Sequence, residues 1–166
     1  MAIFGKQTTG SGGSSLDDRI RGTIFSCIEN GEAQSMTARL QSFPLGAKCK
    51  LAYYNKGSKA LIGKTEERIG AGEGAAWQTF NFTAPKPQVS NIDFALCAHS
   101  DTAMAIDVAA VSVYRYFKDG TLVYEDYPDP WDGTEGIADY EYSIYLTYTP
   151  GVAKTIIRRP ILMTLN

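Results

Sequence analysis

The chain has 166 residues, with 16 basic and 18 acidic side chains, a net charge of −2 and 44% hydrophobic residues. That length fits one domain that can bury about 70% of the surface its unfolded chain exposes, so a core can hold it without disulfides. The balanced charge gives no electrostatic footprint for nucleic acid, and no apolar run approaches the roughly 18 residues of a membrane span.

The chain begins MAIFGKQTTGSGGSSL. A secretion signal needs a basic start and an apolar run of about 7–15 residues. Only Ala2, Ile3 and Phe4 are apolar before Gly5 and Lys6, so the stretch does not read as a signal. Gly10 to Ser15 has the composition of a flexible linker, but nothing foldable precedes it. Residues 1–15 therefore read as an N-terminal arm ordered by something it touches, with Phe4 as a candidate assembly residue that reaches a neighbour.

Residues 16–150 read as one all-β domain. The run TIFSC (Thr23 to Cys27) ends in a turn signal, ENG. AQSMTARLQSF follows, with Met36, Ala38 and Leu40 alternating against Thr37 and Arg39. Next, AKCKLAYYNKG sets Cys49, Leu51 and Tyr53 against Lys48, Lys50 and Ala52, and ALIGKTEERIG reaches a glycine-rich turn at Gly70 to Gly74. WQTFNFTAPKP places Phe80 and Phe82 on one face, and Pro85 and Pro87 stop the ladder because proline donates no hydrogen bond. NIDFALCAHS points Ile92, Phe94, Leu96 and Ala98 inward, with Asp93 and His99 outward.

VAAVSVYRYF reads as a further strand, turned by Lys118 to Gly120 into TLVYEDY. An acidic loop, PDPWDGTEGIAD, leads into YEYSIYLTYT, where Tyr142, Ile144, Leu146 and Tyr148 alternate over Ser143, Tyr145 and Thr147. The total is about eight to ten short strands at regular spacing, the pattern of an antiparallel β-sandwich, with a jelly roll the specific expectation. Residues 151–166 form a tail whose apolar runs, Thr155 to Ile157 and Ile161 to Leu165, flank Arg158, Arg159 and Pro160. Such a tail suits an edge strand of its own sheet or a strand offered to a neighbour. Its candidate assembly residues are Ile156, Arg158, Arg159, Ile161 and Leu162.

Cys27, Cys49 and Cys97 are odd in number, show no C-x-x-C spacing and have no histidine partners in sequence. They read as buried reduced thiols in a chain made in a reducing cytoplasm, with one disulfide and a free thiol the alternative. The single histidine, His99, stands in AHSDT. Adjacent strand residues face opposite ways, so His99, Ser100 and Asp101 do not assemble a nucleophile, a base and an orienting group, and a surface loop is expected there.

Asp126, Asp129, Asp132, Glu135, Asp139 and Glu141 crowd one stretch, but nothing in the sequence puts one in an apolar pocket that would raise its pKa for acid catalysis. No enzyme is expected. The spacing D-x-x-D-x-x-D-G-x-E offers Asp129, Asp132 and Glu135 as oxygen ligands for calcium, with a solvated acidic loop the favoured alternative. Trp131, Tyr124, Tyr127 and Tyr140 could together give a sugar flat aromatic platforms beside polar groups, and Trp77 is a second candidate.

Phe4–Gly5, Ser11 to Ser15, GEAQSMTARL, LAYYNKG, WQTFNFTAP and YSIYLTYTP together resemble a poorly characterised jelly-roll module, over about residues 4 to 150. The chain departs from that pattern where N-I-D-F-A-L-C-A stands in place of a G-T-Y-W-x-G-V element. The resemblance implies a part of a phage particle or of a bacterial surface or extracellular protein, with a binding or assembly role. It also implies that Phe4–Gly5 and the serines belong to the module.

A surface-type module without a secretion signal fits a virion protein made in the host cytoplasm and released by lysis. The expectation is a non-enzymatic structural protein of a phage or virus-like particle, a homo-oligomer in contact with shell proteins, without nucleic acid or membrane insertion. The alternative is a carbohydrate-binding or adhesive module whose partner is a glycan.

Overall fold

The computed structural model describes residues 1–17, 19–111, 113–118, 123–124 and 127–151. Among them the chain is all-β, with no helix, and is built from two antiparallel sheets. The first sheet contains β1 (Ala2–Gly5), β2 (Gly12–Ser15), β4 (Gly31–Leu40), β8 (Ala76–Asn81), β9 (Gln88–Val89), β11 (Ala105–Ala109), β14 (Glu141–Tyr142) and β15 (Ile144–Pro150). The second contains β3 (Ile20–Ser26), β5 (Lys48–Asn55), β6 (Leu61–Lys64), β7 (Arg68–Ile69), β10 (Asp93–Ser100), β12 (Val113–Lys118) and β13 (Thr134–Ala138).

The first sheet runs β1-β15-β4-β11-β14, with β8 and β9 on the other side of β4 and β2 beside β11. The second runs β13-β12-β3-β10-β5-β6, with β7 also on β5. Several neighbours are distant in sequence, notably β1 with β15, β4 with β15, and β3 with both β10 and β12.

Period-two alternation puts the core between the sheets. Met36, Ala38 and Leu40 of β4 and Tyr142, Ile144, Leu146 and Tyr148 near the C-terminal end face Cys49, Leu51 and Tyr53 of β5 and Phe94, Leu96 and Ala98 of β10. Phe80 and Phe82 enter the same cluster, and β8 ends at Asn81 before the two prolines. Tyr53 packs edge-on against both Phe82 and Phe94, with centroids 5.6 Å and 5.4 Å away. Ile92, expected inward, precedes β10 and is exposed.

Two boundaries differ from the expectation. VAAVSVYRYF is not one strand: β11 belongs to the first sheet and β12 to the second. Val108 enters the inter-sheet core and Tyr116 the outer cluster, and the run carries no turn signal to mark the crossing. The expected turn from β12 into TLVYEDY falls largely on residues outside those described. β12 pairs with β3 on one side and with β13 on the other, so the acidic stretch supplies a strand. The turn residues Asp119 and Gly120 lie outside the described residues.

The N-terminal arm is likewise part of the sandwich. β1 pairs with β15 over four residues, from Ala2 opposite Tyr148 to Gly5 opposite Tyr145, and β2 pairs with β11 from Gly12 opposite Val108 to Ser15 opposite Ala105. Backbone hydrogen bonds hold the glycine–serine stretch, which needs no side-chain signature for that. Gly5 has φ +114°, and a Cβ there would lie 2.6 Å from the Ile144 carbonyl oxygen, so only glycine suits this close approach. The tail, 152–166, lies outside the described residues.

Candidate functional site

The outer face of the second sheet is covered by the chain itself. Ile20, Ala52, Tyr54, Ala95, Cys97 and Tyr116 point away from the inter-sheet core and form a second buried cluster with Tyr127 and Trp131 from the acidic stretch. Trp131 is only 3% exposed; its ring stacks on Tyr116 and meets Tyr54 edge-on, at centroid distances of 4.9 Å and 5.2 Å. Its backbone N–H donates to the Lys59 carbonyl oxygen at 2.8 Å. The Tyr127 hydroxyl donates to the Lys50 carbonyl oxygen at 2.8 Å. Gly22 of β3 makes room for this layer, since a Cβ there would meet the Cys97 sulfur at 2.4 Å.

Burial sets the acid–base character of the layer. It pushes the Cys97 and Tyr127 groups well above their ordinary pKa, and burial, then the Glu135 and Cys97 charges, pushes Tyr116 up to about 12. None of these groups is held as an anion at neutral pH. His99, expected in a surface loop, sits in β10 with no exposed surface, between the rings of Tyr124 (5.6 Å) and Tyr127 (5.8 Å). It points outward from its sheet as the alternation requires, but into this aromatic cover.

The aromatic platform expected around Trp131 is therefore corrected. Trp131 and Tyr127 are core residues of a third layer, Tyr124 is half-buried against His99, and Tyr140 is exposed apart from them after β13. The sequence marks these rings as clustered but does not say that a sheet face lies beneath them.

The carboxylates are dispersed into separate structural bonds. Asp129 Oδ1 accepts the Leu61 N–H at 3.0 Å, Asp132 pairs with Lys118 at 2.6 Å, and Glu135 pairs with Lys59 at 2.6 Å. Among the described residues no three His, Cys, Asp or Glu side chains gather into a group that could hold a metal ion. Asp126 lies outside the described residues. The arrangement ties the acidic stretch to β6, β12 and the turn before β6.

Phe4, expected to reach a neighbour, is buried in its own sandwich between Phe94 (5.8 Å) and Tyr148 (5.9 Å). The remaining assembly residues, Ile156, Arg158, Arg159, Ile161 and Leu162, lie outside the described residues.

The outer face of the first sheet has a different character. Trp77 of β8 stands opposite Arg39 of β4, and Thr79 opposite Thr37, which in turn stands opposite Tyr145 of β15. Directly opposite residues share a face, so Trp77, Thr79 and Asn81 form one column, Arg39, Thr37 and Ser35 the next, and Tyr145 and Thr147 the third. The Trp77 and Tyr145 rings meet across β4 at 5.5 Å, inclined by 53°, and both are half-buried. Thr37 and Thr79 share a hydrogen bond of 2.9 Å between their hydroxyls. Arg39 pairs with Asp107 at 3.6 Å, and Lys6 with Glu141 at 2.5 Å. Trp77 is a candidate in the sequence; its partner Tyr145 is 68 residues away and becomes one only through the strand register.

The sequence matches no family model, and no curated protein matches it.

Proposed function

We propose that this chain is a non-enzymatic structural protein of a phage or virus-like particle, acting by self-association and by contact with shell proteins, on a jelly-roll variant of the β-sandwich. The jelly-roll reading draws on the pairing of early with late strands, β1 and β4 with β15, and β3 with β12. The particle reading draws on the resemblance carried by Phe4–Gly5, the serines and YSIYLTYTP.

One structural observation carries the assembly role. Ala2 lies opposite Tyr148, and Gly151, whose N–H donates to the Asn30 carbonyl oxygen at 2.8 Å, is three residues further on. The start of β1 and the root of the tail are therefore side by side. β1 ends the strand order of its sheet, and an edge strand offers a row of unpaired backbone groups to a neighbour. A terminal segment added to such an edge gains main-chain hydrogen bonds, with its alternate side chains setting specificity. The tail has the apolar runs for that part.

Light scattering on the full chain and on residues 1–151 tests the reading. The full chain is expected to form a defined oligomer and the shortened chain a folded monomer. The same mass for both species overturns self-association through the tail. Absence of the chain from gradient-purified particles of its host overturns the particle role.

A further inference from the structure

We infer that the outer face of the first sheet, centred on Trp77 and Tyr145, binds an uncharged oligosaccharide. This goes beyond the assembly role and does not depend on it.

The two sheets treat their outer faces in opposite ways. The second sheet carries Tyr54, Ala95, Cys97 and Tyr116 outward, and the chain's own Tyr127 and Trp131 cover them. The first sheet carries mainly small polar side chains outward, and its described buried residues form no matching cluster there. Trp77 and Tyr145, each with part of its ring in water, and the exposed Ile3 of the edge strand β1, opposite Thr147, are the exceptions in that polar field. Partly hydrated aromatic rings on a sheet are tolerated when they pair across strands. What distinguishes this pair is its setting.

Thr79 and Asn81 are exposed, and Ser35 and Thr147 half-buried, in the rows directly beside the rings. Strands lie about 4.8 Å apart and same-face residues on one strand about 6.7 Å apart, so these groups form a regular array of donors and acceptors. A pyranose ring has an apolar C–H face and a rim of hydroxyls. The first suits the inclined Trp77 and Tyr145 rings, and the second suits the array of Ser, Thr and Asn.

The charge pattern selects the ligand class. Arg39, opposite Trp77, is paired with Asp107, and the Glu66 carboxylate accepts from the Asn81 amide and backbone N–H at 3.0 Å and 3.3 Å, so the cation beside the rings is compensated and the charge at the edge of the array is negative. A face with its cation already paired and a carboxylate at its edge complements an uncharged polar ligand rather than a phosphate, a sulfate or an acidic sugar. A protein partner would call for a broad apolar centre, which two rings with Ile3 at the sheet edge do not supply. Of the most exposed apolar side chains, Met1 flanks β1 at the edge of this sheet, whereas Ile28, Leu45, Ile69, Val123 and Ile137 stand on loops or on the other sheet.

The test uses the full chain on an array of neutral and acidic oligosaccharides, followed by fluorescence titration with any neutral oligosaccharide that binds. Trp131 is buried and Trp77 half-buried, so the ligand-induced change should come from Trp77. Binding to neutral glycans is expected, weakened about tenfold or more in Trp77→Ala and Tyr145→Ala and unchanged in Lys118→Ala on the other sheet. Thr147→Arg, which adds bulk to the face without removing a ring, should block binding and keep the native circular dichroism spectrum. No binding to any neutral glycan overturns the inference, as does equal binding by the wild type and a folded Thr147→Arg. A change of oligomer mass in Thr147→Arg also overturns it, because the face is then a contact between copies.

Discussion

The Trp131 ring lies nearly parallel to that of Tyr116, with centroids 4.9 Å apart and planes inclined by 19°. This contact fastens the acidic stretch to the outside of the second sheet and turns that sheet into an inner layer. Trp131→Ala removes the largest ring from the cluster and should lower stability by about 3–5 kcal/mol in urea unfolding, with loss of near-ultraviolet circular dichroism. Trp131→Phe, which keeps a ring in the same space, should lose clearly less. A Trp131→Ala variant as stable as the wild type would show that the stretch does not pack there.

Phe4 makes the corresponding contact at the other end of the chain. Its ring fills the space between Phe94 and Tyr148, so Phe4→Ala should cost roughly 3 kcal/mol, the lower part of the range for buried aromatics because an edge strand can relax. Removing residues 1–15 takes out β1 and β2 together and should leave a chain without a cooperative melt, rather than a trimmed but intact domain. Thermal unfolding followed by circular dichroism decides between these outcomes.

Cys27, Cys49 and Cys97 are buried and unpaired. They should resist a thiol reagent in the folded protein and react in full once it is unfolded. Burial raises the folded-state pKa of Cys49 and Cys97 and of the Tyr116 and Tyr127 hydroxyls. On raising pH the unfolded chain therefore loses these protons first, at about 8.5 for thiols and about 10 for phenols. The stability these groups contribute is complete below about pH 8.5 and falls as pH climbs toward the folded values. Melting temperature should hold steady around neutrality and drop progressively above about pH 9. A flat profile to pH 11 would contradict the burial of these groups.

Asp129 anchors the acidic stretch through the Leu61 N–H. Asp129→Ala leaves that donor without its acceptor and should cost about 1 kcal/mol. Asp129, Asp132 and Glu135 are each engaged with a different part of the protein, so neither added calcium nor a chelator should move the melting temperature. A rise with calcium would mean that these carboxylates leave their present partners to bind it.

The inter-sheet core was legible wherever one face of a strand was to be buried. Met36, Ala38 and Leu40, and Tyr142, Ile144, Leu146 and Tyr148, alternate as a period of two demands, and all are buried. Alternation says nothing about what lies beyond the second face. Ala52, Tyr54 and Ala95 occupy positions that alternation reads as outward, yet they are covered by rings from a segment more than 30 residues away in sequence. For the same reason Trp131 looked available to a ligand. β2 escaped notice because pairing through the backbone leaves no mark on a glycine–serine composition. Trp77 could be singled out as an aromatic leading a strand, but its pairing with Tyr145 depends on the register of β4 with both β8 and β15.

The pairing of β1 with β15 joins residues 2–5 to residues 145–148 and so spans almost the whole described chain. β4, the other neighbour of β15, also waits for residues 144–150 before that edge is filled. On the ribosome, Phe4 and Met36 therefore emerge long before Leu146 and Tyr148, which complete the core around them. Long-range closure of this kind is slow, and it leaves strand edges open while synthesis continues. The nascent chain has to be kept from pairing with its neighbours until the last of its described strands arrives, which makes β15 the timing element of biogenesis.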